Sequence, residues 1–98
     1  HKLTGVKLPA SLNSISRGVF WDCPSLEEIS IPAKVSSIGE YAFFHCTKLK
    51  HVYNYATEPQ PVSTIFNRND IIIHVPAASA EKYRNAYHWR NMIIVGDL

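Results

Sequence analysis

The chain repeats itself at an interval of 23 residues. The stretch LPASLNSISRGVFWDC, which starts at Leu8, returns as IPAKVSSIGEYAFFHC, which starts at Ile31. Across this offset aliphatic residues meet aliphatic residues, proline meets proline and cysteine meets cysteine, without a gap. Because one such unit is too short to bury its own apolar residues, the repeat predicts a stack of units, each buried against its neighbour.

Each unit contains two apolar strips. LEEISIP, residues 26–32, alternates apolar and polar residues and predicts a short strand, which ends at a proline that cannot donate to a sheet. VSSIGEYAF, residues 35–43, has an apolar spacing that predicts a short helical or 3₁₀ turn, where Gly39 and Gly18 relax the backbone. The predicted fold is therefore an α/β solenoid of period 23. Its short parallel strands stack, about 4.8 Å apart, into one sheet.

The repeat register breaks after Val52. DIIIHVPAA predicts one more strand of the same sheet, which would include Ile73, Val75, Pro76 and Ala77. ASAEKYRNAYHW predicts a helix with Ser79 as N-cap and Glu81 in its first turn. Helical spacing assigns its buried face to Ala80, Tyr83, Ala86 and Tyr87. NMIIVG predicts a last strand.

We therefore expect a single domain over residues 1–98, with regular repeats over 1–52 and a divergent repeat over 53–98. The divergent part would form an irregular C-terminal cap with one helix, because an open strand edge and a bare apolar face invite aggregation. Since the chain starts with histidine, we also expect it to be a fragment of a longer protein.

The second unit reads L-x-x-I-x-I-P-x-x-V-x-x-I-G-x-x-A-F-x-x-C, from Leu26 to Cys46. This pattern resembles the leucine-rich repeat of BspA-like bacterial surface proteins. The first unit departs from it at Ser16 and Val19, where the pattern prefers glycine and alanine. The resemblance implies a secreted or cell-surface location and a non-enzymatic, adhesion-type role. The implied partner is a protein, such as a host extracellular or cell-surface protein.

Composition and motifs argue against several other functions. A net charge of +2, carried by dispersed basic residues, gives no reason to expect a nucleic-acid partner. No apolar run approaches the roughly 18 residues that would span a bilayer, so no transmembrane segment is expected. No sequence motif points to a cofactor, a metal or a catalytic group, and we expect no enzyme activity.

Cys23 and Cys46 stand one repeat apart, within reach of a disulfide if the units stack. Stacked cysteines point the same way, which disfavours the S–S torsion, so buried free thiols are the preferred interpretation. His45 precedes Cys46, but adjacent residues on an extended chain diverge, so we expect a structural role instead of a catalytic dyad.

The candidate binding surface is the outward face of the predicted sheet. Residues between the inward apolar positions of each strand would point to solvent, and repeat proteins use such faces for binding. The candidate binding residues on this face are Lys7, Glu28, Ser30, His51, Tyr53 and His74.

Two further functions stay open. A structural spacer that carries another domain of a longer protein fits the repeat equally well. A carbohydrate-binding module would use exposed aromatic rings, for which Trp21 and Trp89 are candidates, although we expect Trp21 to pack between turns and Trp89 to cover the core. We also expect weak self-association through the open N-terminal repeat.

Overall fold

The computed structural model describes residues 5–62, 65–66 and 70–98, without the side chains of Val6 and Lys7. The strands, in chain order, are β1 Gly5–Lys7, β2 Ser14–Ile15, β3 Glu28–Ile31, β4 Ser37–Ile38, β5 His51–Asn54, β6 Ile72–His74 and β7 Ile93–Val95. The α-helix found in the described part, α1, covers Ala80–Asn85, and 3₁₀ turns cover Ala77–Ser79 and Trp89–Asn91.

Five strands form a parallel sheet in the order β1-β3-β5-β6-β7, which confirms the predicted parallel stacking. The register follows the sequence repeat, because Ile29 pairs with Val52. The predicted strand around Ile73 joins the same sheet, where Ile73 pairs with Val52 on one side and Ile94 on the other. The last two steps are 21 residues long, so the C-terminal strands keep the stack with a two-residue deletion.

The inward positions of the sheet form the core. Ile29, Ile31, Val52 and Ile73 are fully buried, and so are Leu26 and Leu49 just before the strands. Each such aliphatic side chain contributes roughly 1.5–3 kcal/mol to stability when it leaves water. Most of this burial lies between units, so each repeat is stabilised by its neighbours.

The second apolar strip corrects the prediction of a helical or 3₁₀ turn. Instead, β2 pairs in parallel with β4 as a separate two-stranded sheet, and irregular turns follow each strand. The backbone N–H groups of the first set of turns bond across to the second set: Gly18 N donates to Glu40 O, and Phe20 N donates to Ala42 O. Groups that bond between units cannot also form a helix within one unit, and this is why the helical spacing failed.

Gly18 and Gly39 serve this turn layer in different ways. Gly18 adopts a φ of 63°, a left-handed conformation that glycine enters without strain. At Gly39 the reason is space, because a Cβ there would lie 2.3 Å from the backbone nitrogen of Arg17. The expected relaxation of the backbone therefore applies to Gly18, whereas Gly39 permits close contact between two turns.

An aromatic ladder runs along the inside of the turns. The rings of Phe20 and Phe43 stack 5.5 Å apart, and those of Phe43 and Phe66 stack at the same distance. Trp89 ends the ladder with its ring edge-on to Phe66, 6.3 Å away, and is fully buried, as expected.

The C-terminal helix is shorter than predicted. It ends at Asn85, so Tyr87 falls beyond it and is 66% exposed instead of lying on the buried face. Ser79 holds the N-cap position, but its hydroxyl donates to the Thr57 carbonyl, 2.7 Å away, and makes no cap bond. Ala80 and Tyr83 are buried as predicted, and the Tyr83 hydroxyl donates to Ala56 O. The helix is thus held by the preceding loop as well as by apolar contact.

Both cysteines are free thiols, in agreement with the preferred interpretation. Cys46 is buried and its Sγ donates to the carbonyl of Phe20, 3.1 Å away. Cys23 is only half-buried, because it lies in the first unit of the stack. Within the part of the chain that the structure describes, no helix has the length and apolar character needed to cross a bilayer.

Candidate interaction face

The side chains of the five-stranded sheet alternate between core and solvent. In β3 and β5 the positions of Glu28, Ser30, His51 and Tyr53 face away from the buried ones. Strand register places Ser30 beside Tyr53 and Tyr53 beside His74, as predicted. We call this outward surface, together with Asp97 just after β7, the sheet face. Lys7 pairs with Ser30 along the backbone, but its side chain lies outside the described residues.

Three side chains of the sheet face form one hydrogen-bonded row, which we call the histidine relay. His51 Nδ1 lies 2.9 Å from His74 Nε2. His74 Nδ1 lies 2.9 Å and 3.0 Å from the two carboxylate oxygens of Asp97. The His74 side chain is 12% exposed and the Asp97 side chain 50% exposed, so the relay runs from a sheltered ring to an accessible carboxylate.

The chemistry of these groups fixes the direction of the relay when both rings are neutral. The Asp97 carboxylate only accepts hydrogen bonds, so His74 donates from Nδ1 and its Nε2 is an acceptor. His51 then donates from Nδ1 to His74. The Nε2 atom of His51 is consequently left without a proton, as the acceptor at the end of the relay.

Tyr53 holds the two imidazoles in place. Its ring stacks on His74 with centroids 4.5 Å apart and planes 16° apart, and lies nearly parallel to the ring of His51 at 6.1 Å. The two histidine rings are 5.2 Å apart. Stacking on one side and hydrogen bonding along the row leave little freedom for these rings, so the face is organised before any ligand arrives.

The other predicted residues lie around this centre. Glu28 is the register partner of His51, and together with Glu27, Lys48 and Lys50 it borders a depression of about 390 Å³. Ser30 borders a separate apolar groove of about 430 Å³ at the carboxyl ends of the strands. The lining of that groove also includes Leu8, Ala10, Pro32, Ala33, Lys34 and Tyr55.

Asp97 was not predicted from the sequence, although a signal was present. His51, His74 and Asp97 follow one another at intervals of 23 residues, the same period as the repeat. Because the strand register shortens to 21 residues there, they are diagonal instead of lateral neighbours, a separation that long side chains bridge. A search for polar residues at the repeat interval, without apolar ones, would have found the relay.

A second aromatic group lies on the turn layer, away from the sheet face. Trp21 is 47% exposed, and its ring contacts Tyr41 and Phe44 at centroid distances of 5.3 Å and 5.6 Å. His45 packs against Phe44 at 5.2 Å, consistent with the structural role expected for it. Trp21 therefore packs on its counterpart but keeps half its surface in water, whereas the burial of Trp89 removes that residue from any surface site.

No group of three or more histidine, cysteine, aspartate or glutamate side chains within the described ranges is arranged to hold a metal ion. In the histidine relay, both ring nitrogens of His74 already take part in hydrogen bonds. The chemistry available on the sheet face is therefore hydrogen bonding, stacking and charge.

Comparison with known protein families agrees with this architecture. The family profile for the BspA type leucine rich repeat region (6 copies) matches residues 1–80. The chain belongs to the BspA-type leucine-rich repeat family. This family is typically non-enzymatic, is found in surface or secreted bacterial proteins, and is associated with protein interaction. No curated protein matches the chain.

Proposed function

We propose that this chain is a non-enzymatic, extracellular protein-interaction module of the adhesion type, and that it binds its partner through the sheet face. The module is part of a bacterial solenoid, secreted or attached to the cell surface, and its partner is a host extracellular or cell-surface protein. The family supports protein interaction in general. The choice of surface rests on the sheet face itself.

One observation carries the choice of surface: half-buried His51, Tyr53 and His74 are fixed by hydrogen bonds and by stacking, yet they face outward. Binding normally costs about 0.5–1.5 kcal/mol for each long side chain that becomes ordered. Side chains ordered in advance avoid that cost. A fixed tyrosine among polar groups is also typical of the residues that dominate binding energy in protein interfaces.

We further propose that residues 53–98 close the stack. The carbonyl of Ile94 in β7 accepts a hydrogen bond from Arg84 Nη2, 3.2 Å away, so a side chain of α1 occupies a strand carbonyl. An edge protected in this way is a poor template for pairing with another chain.

A binding screen against extracellular matrix proteins and glycans tests the choice of surface. The test variant changes Lys7, Glu28, His51 and Tyr53 to serine. A matched control changes Glu81, Lys82, Tyr87 and Arg90 to serine, which removes similar exposed groups on and beyond α1. We expect a protein hit that the control retains and the test variant loses, with both variants folded by circular dichroism.

Other outcomes of the same screen would contradict the proposal. Silence from the unaltered chain on every protein and glycan would favour a structural spacer. A glycan hit that survives in the test variant but is lost on Trp21→Ala would move the function to the turn layer.

A further inference from the structure

The histidine relay gives the sheet face a chemical polarity. With both rings neutral, His51 Nε2 is an acceptor whose partner atom on the same ring is committed to His74, 2.9 Å away. The ring cannot exchange tautomers freely, because reversing His51 would leave two lone pairs facing each other unless His74 also reversed and gave up Asp97. The relay therefore maintains an acceptor at the surface at neutral pH.

The charges that surround this acceptor favour a cation. From β3, Glu28 lies beside His51 in register, and Glu27 borders the same depression. Lys48 and Lys50 border it on the side of β5, and β6 contributes only His74 to the relay. Asp97 closes the far end of the relay after β7. Three carboxylates thus stand against two lysines, and both lysines lie before the strand, at the rim of the face.

We propose that His51 Nε2 and the Glu28 carboxylate receive an arginine or lysine side chain of the partner protein, and that proton uptake by the histidine relay releases it. This proposal rests on the proposed binding function of the sheet face. His74 and Asp97 are positioning residues, since they fix the tautomer of His51 without touching the partner.

The release step follows from the same geometry. Histidine side chains change charge between about pH 5 and pH 8. One added proton, placed on His51 Nε2, leaves both relay hydrogen bonds intact but turns the acceptor into a charged donor. The partner cation then loses its hydrogen bond and meets a positive charge, so both effects weaken binding in acid. A second proton would set two N–H groups against each other and break the contact between His51 and His74.

The first test needs no partner. Nitrogen-15 NMR of histidine-labelled protein at pH 7.5 distinguishes the two neutral tautomers. We expect both His51 and His74 to carry their proton on Nδ1, the less common tautomer. Asp97→Asn should weaken this preference, whereas Glu58→Gln, an exposed carboxylate outside the relay, should leave it unchanged. A proton on Nε2 of His74 in the unaltered chain would overturn the proposal.

The second test measures binding with defined probes, capped hexa-arginine and hexa-glutamate peptides, at pH 7.5 and pH 5.0. We expect hexa-arginine to shift the His51 ring signals at pH 7.5, and its affinity to fall at least about tenfold at pH 5.0 through charge repulsion. His51→Gln keeps an acceptor that does not titrate, so its binding should depend much less on pH. No shift with hexa-arginine, or hexa-glutamate binding that strengthens in acid, would overturn the proposal.

The two proposals fail in different ways. A protein partner that is lost in the sheet-face variant, but binds equally at both pH values and to Asp97→Asn, would keep the proposed function and overturn the cation-binding relay.

Discussion

The repeat segment, residues 5–52, and the C-terminal segment, residues 53–98, use different means to bury similar strands. In the repeat segment each inward position holds an aliphatic residue that stacks on its counterpart, as Ile29 does on Val52. In the C-terminal segment the inward chain is tied by polar groups. Asn54 and Gln60 are both buried and exchange side-chain hydrogen bonds at 2.8 Å and 3.1 Å.

The difference follows from what each segment must do. Translation by one unit satisfies its own backbone, since every turn and strand bonds to an identical neighbour. Where the units stop being identical, backbone groups lose those neighbours and side chains must replace them. Trp89 Nε1 donates to Gln60 O, and the Tyr83 hydroxyl donates to Ala56 O. Irregular structure therefore depends on individual polar contacts, and repeated structure depends on shape.

The largest effect is expected from Trp89→Ala, which removes a fully buried ring at the end of the aromatic ladder. A buried Trp-to-Ala change costs about 3–5 kcal/mol, and here it also leaves the Gln60 carbonyl without its donor. Phe20→Ala, at the half-buried other end of the ladder, should cost clearly less. Urea denaturation measures both, and equal costs would show that the two ends of the stack are held alike.

Gly39→Ala should have the next largest effect, and it lies in the repeat segment. The new Cβ would meet the backbone of Arg17, which cannot move without breaking the bond from Gly39 N to Ile15 O. Overpacking of this kind costs about 1–3 kcal/mol. Gly5→Ala is the matched control, because a Cβ there would meet only the Glu28 side chain at 3.5 Å. If both variants unfold at the same urea concentration, the turns are not in tight contact.

Asn54→Ile tests whether the C-terminal segment can obey the rule of the repeats. Asn54 is the register partner of Ile31, so isoleucine restores the repeat pattern. It also removes the acceptor of Ala56 N and leaves Gln60 without its amide partner. We expect a net loss of about 1–3 kcal/mol, because unpaired buried polar groups outweigh the gain in apolar burial.

The control for that change is Ile31→Val, which should cost about 0.5–1.5 kcal/mol in thermal or urea unfolding. A more stable Asn54→Ile protein would mean that the amide pair is not needed to hold the loop.

The two segments also differ in how far the sequence predicts them. Period 23 predicted the parallel pairing and the register of β3 with β5, because identical units leave few other arrangements. It failed for the turn layer, where hydrogen bonds between units compete with a local helix. It also missed the relay at Asp97 and the role of Asn54, since a polar residue reveals its partner only once the chain has folded.

The smallest effect concerns pH and is expected in the C-terminal segment. His88 Nε2 accepts hydrogen bonds from the backbone N–H groups of Ile65 and Phe66, both at 3.3 Å. Burial lowers the pKa of His88 below its ordinary value of 6.5. As the pH falls below 6.5, the unfolded chain takes up a proton that the folded chain resists, so this residue makes stability decrease in acid and leaves it constant above that value.

The measurement is the urea midpoint of the unaltered chain and of His88→Asn between pH 5 and pH 8. Asparagine tolerates the φ of 71° at this position and keeps an acceptor that does not titrate, so the variant should lose part of the acid-dependent decrease. His45→Asn, an exposed ring with a φ of 59°, is the matched control and should retain the full decrease. Equal pH profiles for all three proteins would mean that His88 takes up its proton as readily in the folded chain as in the unfolded one. The two backbone N–H groups would then have to find another acceptor in acid.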